Sequence, residues 1–250
     1  MSTTTIIAHR GASKIAPENT MAAFEKCYQQ GVCGIETDVQ LTKDNVPVLF
    51  HDQTLKRTTN AKGYVKDYTY DQLQSIDAGA WFSKDFTGER IVSLETFLRW
   101  AQYKPLYLNL ELKNNKIDYK HLEAIVYEHL KYYRLLNRTT ISSFNSTSIR
   151  RMKYFREHVE IAYLASKRKK NLVKAAKEMG ASALHIEYRM LRQNIIRQCR
   201  KAYINLRVYT VNRLAPMHKC FKYGCDSIIT DYPDKGIEQY KIFMSGRSVR

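Results

Sequence analysis

Residues 183–231 open on Ala183-Leu184-His185-Ile186-Glu187 and pass through a helical pattern over 191–203 to Leu206-Arg207-Val208-Tyr209-Thr210-Val211. A second helical pattern over 214–223 then leads to Ser227-Ile228-Ile229-Thr230-Asp231. Three short apolar runs are thus separated by two amphipathic segments. A strand that pairs in parallel with the one before it needs a crossover of roughly a dozen residues, and a helix supplies one. Gly180 and Gly224 lie just past two of the helical patterns, where a left-handed residue closes the last turn. The same alternation extends back to the amino terminus. Strand-like runs stand at 6–9, 34–40, 106–113, 139–144 and 160–165, and helical patterns at 20–30, 93–102, 118–132, 146–155 and 171–179. Eight strands alternating with helices in 250 residues predict an α/β fold, the (β/α)8 TIM barrel. A doubly wound open sheet would give a similar pattern, but no Gly-x-Gly-x-x-Gly follows any strand.

One stretch breaks the alternation. After the run 34–40 the chain reads Leu41-Thr42-Lys43-Asp44-Asn45-Val46 and returns at once to the apolar Pro47-Val48-Leu49-Phe50. A turn-prone Asp-Asn between two extended runs predicts a hairpin, with paired positions summing to about 89 and Asp38 near His51. From 52 to about 91 the chain is polar and aromatic with no barrel strand, and is expected to be an insertion over the strand ends of a single 1–250 domain.

Composition narrows the class. With 44% hydrophobic and 26% charged residues, the chain is neither a disordered polymer nor a coiled coil. No run approaches the ~18–20 apolar residues that cross a bilayer. The first residues lack a signal-peptide pattern, and five cysteines without a Cys-x-x-Cys pair suggest buried thiols, so a soluble cytoplasmic protein is expected. The formal charge of +17 is unevenly placed. Residues 1–100 carry 11 Lys/Arg against 12 Asp/Glu, whereas 101–250 carry 30 against 12. An excess on one side suggests that one face meets something anionic.

In a barrel of this kind the site lies at the carboxyl ends of the strands. There the first strand presents His9-Arg10, the second Glu36 and Asp38, the returning hairpin His51, and the next strand Glu111 and Lys113. The period of two along a strand puts Glu36 with Asp38, and Glu111 with Lys113, on one face. Three carboxylates directed at one rim repel one another unless a cation compensates, and all-oxygen ligation suits Mg²⁺ or Ca²⁺. Arg10 and Lys113 beside such an ion would receive a phosphate. His9 and His51 would give and take protons near neutral pH. The residues alone therefore point to metal-assisted phosphoester chemistry.

The order of motifs resembles the glycerophosphodiester phosphodiesterase family. Ala8-His9-Arg10-Gly11, Pro17-Glu18-Asn19-Thr20, Glu36-Thr37-Asp38, Phe50-His51-Asp52, Leu55-Lys56-Arg57-Thr58-Thr59, Asp77-Ala78-Gly79-Ala80-Trp81-Phe82, Glu111-Leu112-Lys113 and Thr230-Asp231-Tyr232-Pro233 fall in sequence from residue 8 to 233. The resemblance implies a TIM barrel that hydrolyses glycerophosphodiesters to sn-glycerol 3-phosphate and an alcohol. It places Glu36, Asp38 and Glu111 on one divalent metal, His9 and His51 as the acid–base pair, and Arg10 and Lys113 on the phosphate. It also allows a cyclic phosphate, formed by attack of the neighbouring glycerol hydroxyl. Two positions depart from the family pattern: Tyr209 stands where Trp-Thr-Val-Asn is usual, and Ser227 ends a Gly-x-Asp-Gly-like stretch.

Other features carry plainer readings. Trp81, Phe82, Phe144 and Tyr209 could line a substrate mouth or serve as packing. Cys220 and Cys225 lack histidine partners for a metal, Asn145-Ser146-Thr147 reads as a helix cap, and Lys167-Arg168-Lys169-Lys170 as a solvated charge run. No specific nucleic-acid partner is expected, and the oligomeric state is left open. Two alternatives stand beside the leading reading: a lysophospholipase D-type phosphodiesterase, and a non-catalytic barrel binding polyanions or anionic membranes through its basic half.

Overall fold

The protein is described by a computed structural model over residues 4–156 and 158–246. The first half runs β1 (Thr5–His9), α1 (Met21–Gln29), β2 (Gly34–Leu41), β3 (Pro47–Leu49), α2 (Tyr70–Gln74), α3 (Leu94–Ala101), β4 (Tyr107–Leu112), α4 (Leu122–Tyr132) and β5 (Thr139–Ser143). The second runs α5 (Ser146–Met152), β6 (Glu160–Ala165), α6 (Leu172–Glu178), β7 (Ala183–Glu187), α7 (Gln193–Ala202), β8 (Asn205–Tyr209), α8 (Leu214–Tyr223), β9 (Ser227–Thr230) and α9 (Pro233–Ser245). All strands but β3 pair in parallel with their neighbours, and β1 closes the ring by pairing with both β2 and β9. The expected (β/α)8 barrel is therefore observed.

The hairpin forms one step out of the expected register. Val39 pairs with Leu49, Gln40 with Val48 and Leu41 with Pro47, so the paired numbers sum to 88 and Asp38 stands opposite Phe50. The cause is the turn itself. Thr42 Oγ1 accepts from the Val46 N–H at 2.9 Å and Asn45 takes a positive φ of 61°, which sets the loop length. His51 follows one residue beyond the pair and still reaches the barrel rim.

Outward-facing strand residues such as Leu108, Leu110, Ile161, Leu184 and Val208 pack against the helix ring, where Phe24 and Phe97 are fully buried. Each such side chain contributes about 1.5–3 kcal/mol. The inward-facing set is different: Glu36, Asp38, Asn109, Glu111, Ser142, His185 and Arg207 are all buried. The segment between β3 and α3 forms its own small cluster around Val48, Leu55, Val65, Leu73 and Ile91. Gln40 ties it to the barrel by donating through Nε2 to the carbonyls of Phe50 (2.7 Å) and Asp52 (2.6 Å).

Helix α9 was not foreseen. Its pattern is interrupted by Gly236, and the interruption has a cause: a Cβ there would lie 2.9 Å from Ile6 Cγ2, so only glycine lets α9 rest on β1. All five cysteines are free thiols, but Cys33 is exposed, which corrects the expectation that all are buried. It lies immediately before β2, where the chain has not yet entered the barrel wall. No helix among the described residues is long and apolar enough to cross a membrane.

Candidate active site

The carboxyl ends of β1, β2 and β4 bring the expected groups to one place. A pocket of about 150 Å³ is lined by His9, Arg10, Glu36, His51, Glu111 and Lys113, with Asn109, Phe144 and Tyr209 on its other side. Phe144 and Tyr209 meet edge to face with ring centroids 6.1 Å apart, and Tyr209 donates its hydroxyl to the Ala165 carbonyl at 3.1 Å. Trp81 does not line this pocket. It sits 40% exposed on the inserted segment, donating Nε1–H to Ala78 O at 2.9 Å and packing edge to face on Phe82.

Glu36, Asp38 and Glu111 each offer one oxygen within 4.8 Å of the others, and all three are buried. Burial first, and then the charges of Asp38 and Glu111, push the Glu36 carboxyl well above the usual carboxylate range. Burial would raise Asp38 as well, yet Arg10 and Lys113 overcome it and hold that carboxyl well below its ordinary value. Asp38 accepts from Asn19 Nδ2 at 3.0 Å through one oxygen, while Oδ1 is buried without a hydrogen-bond partner. Lys113 Nζ lies 2.7 Å from Glu111 Oε1 and 3.5 Å from Asp38 Oδ1, and Arg10 Nε lies 3.1 Å from Asp38 Oδ2. Three carboxylates thus face two permanent cations, one acid in excess, and Asp38 Oδ1 is ion-paired with Lys113 but accepts no hydrogen bond. The donor set fits a hard divalent cation.

The two histidines are oriented alike. His9 Nδ1 lies 2.6 Å from Asp231 Oδ1, and His51 Nδ1 lies 2.7 Å from Asp52 Oδ1. A carboxylate at Nδ1 fixes the tautomer whose Nε2 carries the lone pair; that of His9 is 3.9 Å from Glu36. Burial, assisted by Arg10 and Lys113, lowers the His51 pKa against the opposing charge of Asp38.

Several supporting residues had no assigned role in the sequence reading. Glu18 accepts from Arg10 Nη1 at 2.9 Å and from both terminal nitrogens of Arg57 at 2.7 and 2.8 Å. Arg57 in turn donates Nε–H to Asp52 at 2.7 Å. One chain of charges thus links Arg10, on the pocket wall, to the carboxylate that holds His51. Asp231 is held by Asn212 Nδ2 at 2.7 Å. Glu18, Arg57 and Asp231 sit in motifs that carried the resemblance, and their opposite charges were the signal that could have paired them.

Comparison with known proteins places the chain in a family. The model of the glycerophosphoryl diester phosphodiesterase family matches residues 9–235. A glycerophosphodiester phosphodiesterase of Caldanaerobacter subterraneus subsp. tengcongensis is 39% identical over 92% of this chain and 95% of its own. An Oleispira antarctica phosphodiesterase, solved in complex with the product sn-glycerol-3-phosphate, superposes with a TM-score of 0.85 at 27% identity, covering 95% of this chain and 96% of that one. A crystal structure from Silicibacter pomeroyi shares the fold with a TM-score of 0.86 at 24% identity, covering 96% and 93%. With the family model spanning nearly the whole chain, the protein belongs to the glycerophosphoryl diester phosphodiesterase family.

Proposed function

We propose that the protein hydrolyses glycerophosphodiesters to sn-glycerol 3-phosphate and an alcohol, with Mg²⁺ or Ca²⁺ held by Glu36, Asp38 and Glu111. The observation that carries this reading is two histidines, each locked at Nδ1 by a carboxylate, on the same small pocket as an under-compensated carboxylate triad. A bound divalent ion would polarise the phosphoryl oxygens and offset charge that develops on them.

The chain's own groups supply the rest. A divalent ion turns the net −1 of the three carboxylates and two cations into +1, which matches the single charge of a phosphodiester. Arg10 is braced by Glu18 and Asp38 and faces the pocket, so its guanidinium can grip the phosphate without reorganising. Lys113 is kept charged by Asp38 and Glu111, which outweigh its burial. One histidine accepts the proton of the attacking hydroxyl and the other protonates the leaving alcohol. If the hydroxyl is the substrate's own, attack is intramolecular and a cyclic phosphate forms, which water then opens as the two rings exchange roles. The pocket is small beside the roughly 300–1,000 Å³ of sites for drug-sized ligands. Part of the insertion's apolar surface turns into its own cluster, while Trp81 and Tyr64 stay exposed. The pocket's size favours water-soluble head-group diesters over lysophospholipids.

The test is release of glycerol 3-phosphate from glycerophosphocholine or glycerophosphoethanolamine, with and without chelator. Activity should require added Mg²⁺ or Ca²⁺, and His51→Ala should lower kcat by about 10²–10⁴-fold with the fold intact. Undiminished turnover in the chelated enzyme or in the His51 variant would overturn the assignment.

A further inference from the structure

All loops that leave the carboxyl ends of the parallel strands share the rim into which the pocket opens. Along the arc β6–β7–β8, three successive loops are basic. The loop after β6 carries Lys167, Arg168, Lys169 and Lys170, that after β7 carries Arg189 and Arg192, and that after β8 carries Arg213; every one of these side chains is exposed. Among the described residues no carboxylate pairs with Lys167, Lys169, Lys170, Arg192 or Arg213, and the acidic partner on this arc, Glu187, is taken by Arg189 at 3.6 Å. Cations that were merely solubilising would be interspersed with acids, as on the inserted segment with its Asp67, Asp71, Asp77 and Asp85.

This arc exposes Leu214, 53% exposed next to Arg213, and farther round the same rim, in the loop after β1, Ile15 is 48% exposed beside Lys14. A basic rim with protruding aliphatic residues matches a surface that is anionic at its face and apolar beneath. A nucleic acid would use the charge but leave Leu214 and Ile15 without a role.

We propose that the β6–β8 rim, centred on residues 167–170 with Arg192, Arg213 and Leu214, docks the protein on an anionic phospholipid surface with the pocket mouth facing the bilayer. That the pocket gains substrate there rests on the proposed phosphodiesterase reading; the docking itself does not.

The test is co-sedimentation of the full chain with phosphatidylcholine vesicles and with vesicles containing phosphatidylglycerol. Binding should be confined to the anionic vesicles and weaken as salt rises. Lys167→Glu/Lys169→Glu/Lys170→Glu together should weaken it about tenfold or more, and Leu214→Asp should weaken it also. Both variants should turn over soluble glycerophosphocholine at the wild-type rate, which separates docking from folding and from catalysis. Absent or equal binding to the two vesicles, wild-type binding by both variants, or displacement from vesicles by double-stranded DNA at equal charge would overturn the proposal. Vesicle binding by a chain that fails to cleave glycerophosphodiesters would uphold docking and sink only the activity.

Discussion

The barrel holds two ionic networks, one at each end, and they are built on opposite principles. At the amino ends of the strands, the Glu160 carboxylate accepts from Tyr107 Oη at 2.8 Å, Asn205 Nδ2 at 2.6 Å and the Thr140 hydroxyl, and pairs with Arg207 at 2.7 Å. One acid meets one base, and the guanidinium also lies 5.3 Å from the Tyr107 ring centre and 3.2 Å from His185 Nε2. At the carboxyl ends, three acids crowd two bases. The first network is balanced in charge, although Arg207 Nε and His185 Nδ1 are buried without a hydrogen-bond partner, and is structural; the second carries one acid more than its bases. Imbalance, more than charge, marks the functional end.

Removing one partner from the balanced network should have the largest effect. Arg207→Met leaves Glu160 without its counter-ion. Breaking a buried pair from one side costs about 3–5 kcal/mol. Glu160 keeps three neutral donors and a fifth of its side chain in solvent, so a loss near the lower end, about 3 kcal/mol, is expected from denaturant unfolding. Turnover per folded molecule should stay close to wild type, because Arg207 is absent from the pocket lining. A variant as stable as wild type but catalytically dead would reverse the assignment of the two ends.

Acid should act on the same network. Burial, and then the charge of Arg207, push His185 down to about 3. In the folded chain it stays neutral where an unfolded chain binds a proton, below about pH 6.5. The unfolded state therefore takes up more protons over that window, and stability falls as pH drops from about 6.5 toward 3. Glu160 is held near 2 because Arg207 and its hydrogen bonds outweigh burial, and it adds a further loss below about pH 4.3. Melting temperature against pH should show this decline. His185→Gln should flatten it above about pH 4.5 and lessen it between 4.5 and 3, where the Glu160 part remains. An unchanged slope in that variant would assign the upper part to other groups.

Much of this contrast was legible in the sequence, though unevenly. His9, Arg10, Glu36, Asp38, His51, Glu111 and Lys113 could be assembled because each sits at the end of a strand-like run, and strand period fixes which residues share a face. The barrel followed from the alternation. What stayed hidden depends on contacts across long sequence separations. The Glu18–Arg57 pair joins residues 39 apart through the folded insertion, and His9 meets Asp231 across 222. The Glu160–Arg207 network is hidden for another reason. A polar residue alternating with apolar ones reads as a solvent-facing position in an ordinary strand. In a barrel, where the helices cover the outside, that same position points into the interior. Trp81 was open between mouth and packing in the sequence, and its contacts, with Ala78 and Phe82, are made within the insertion.

The subtlest prediction applies one conservative change to both ends. Glu160→Gln gives up an ion pair and should destabilise the protein. Glu36→Gln removes a charge that its neighbours Asp38 and Glu111 oppose, while an amide oxygen can still accept from the Arg10 N–H now 3.1 Å away. In metal-free buffer, Glu36→Gln should therefore be stabilised, by something on the order of 1 kcal/mol or about 2–4 °C in Tm. Added Mg²⁺ or Ca²⁺ should raise the wild-type Tm through preferential binding to the folded state. The variant should lose most of that gain together with its activity. The two measurements would then cross, with the variant more stable without the ion and less stable with it. A Glu36→Gln protein that melts below wild type in chelator would mean the triad is not under like-charge strain. The end of the barrel assigned to chemistry would then be as self-sufficient as the other.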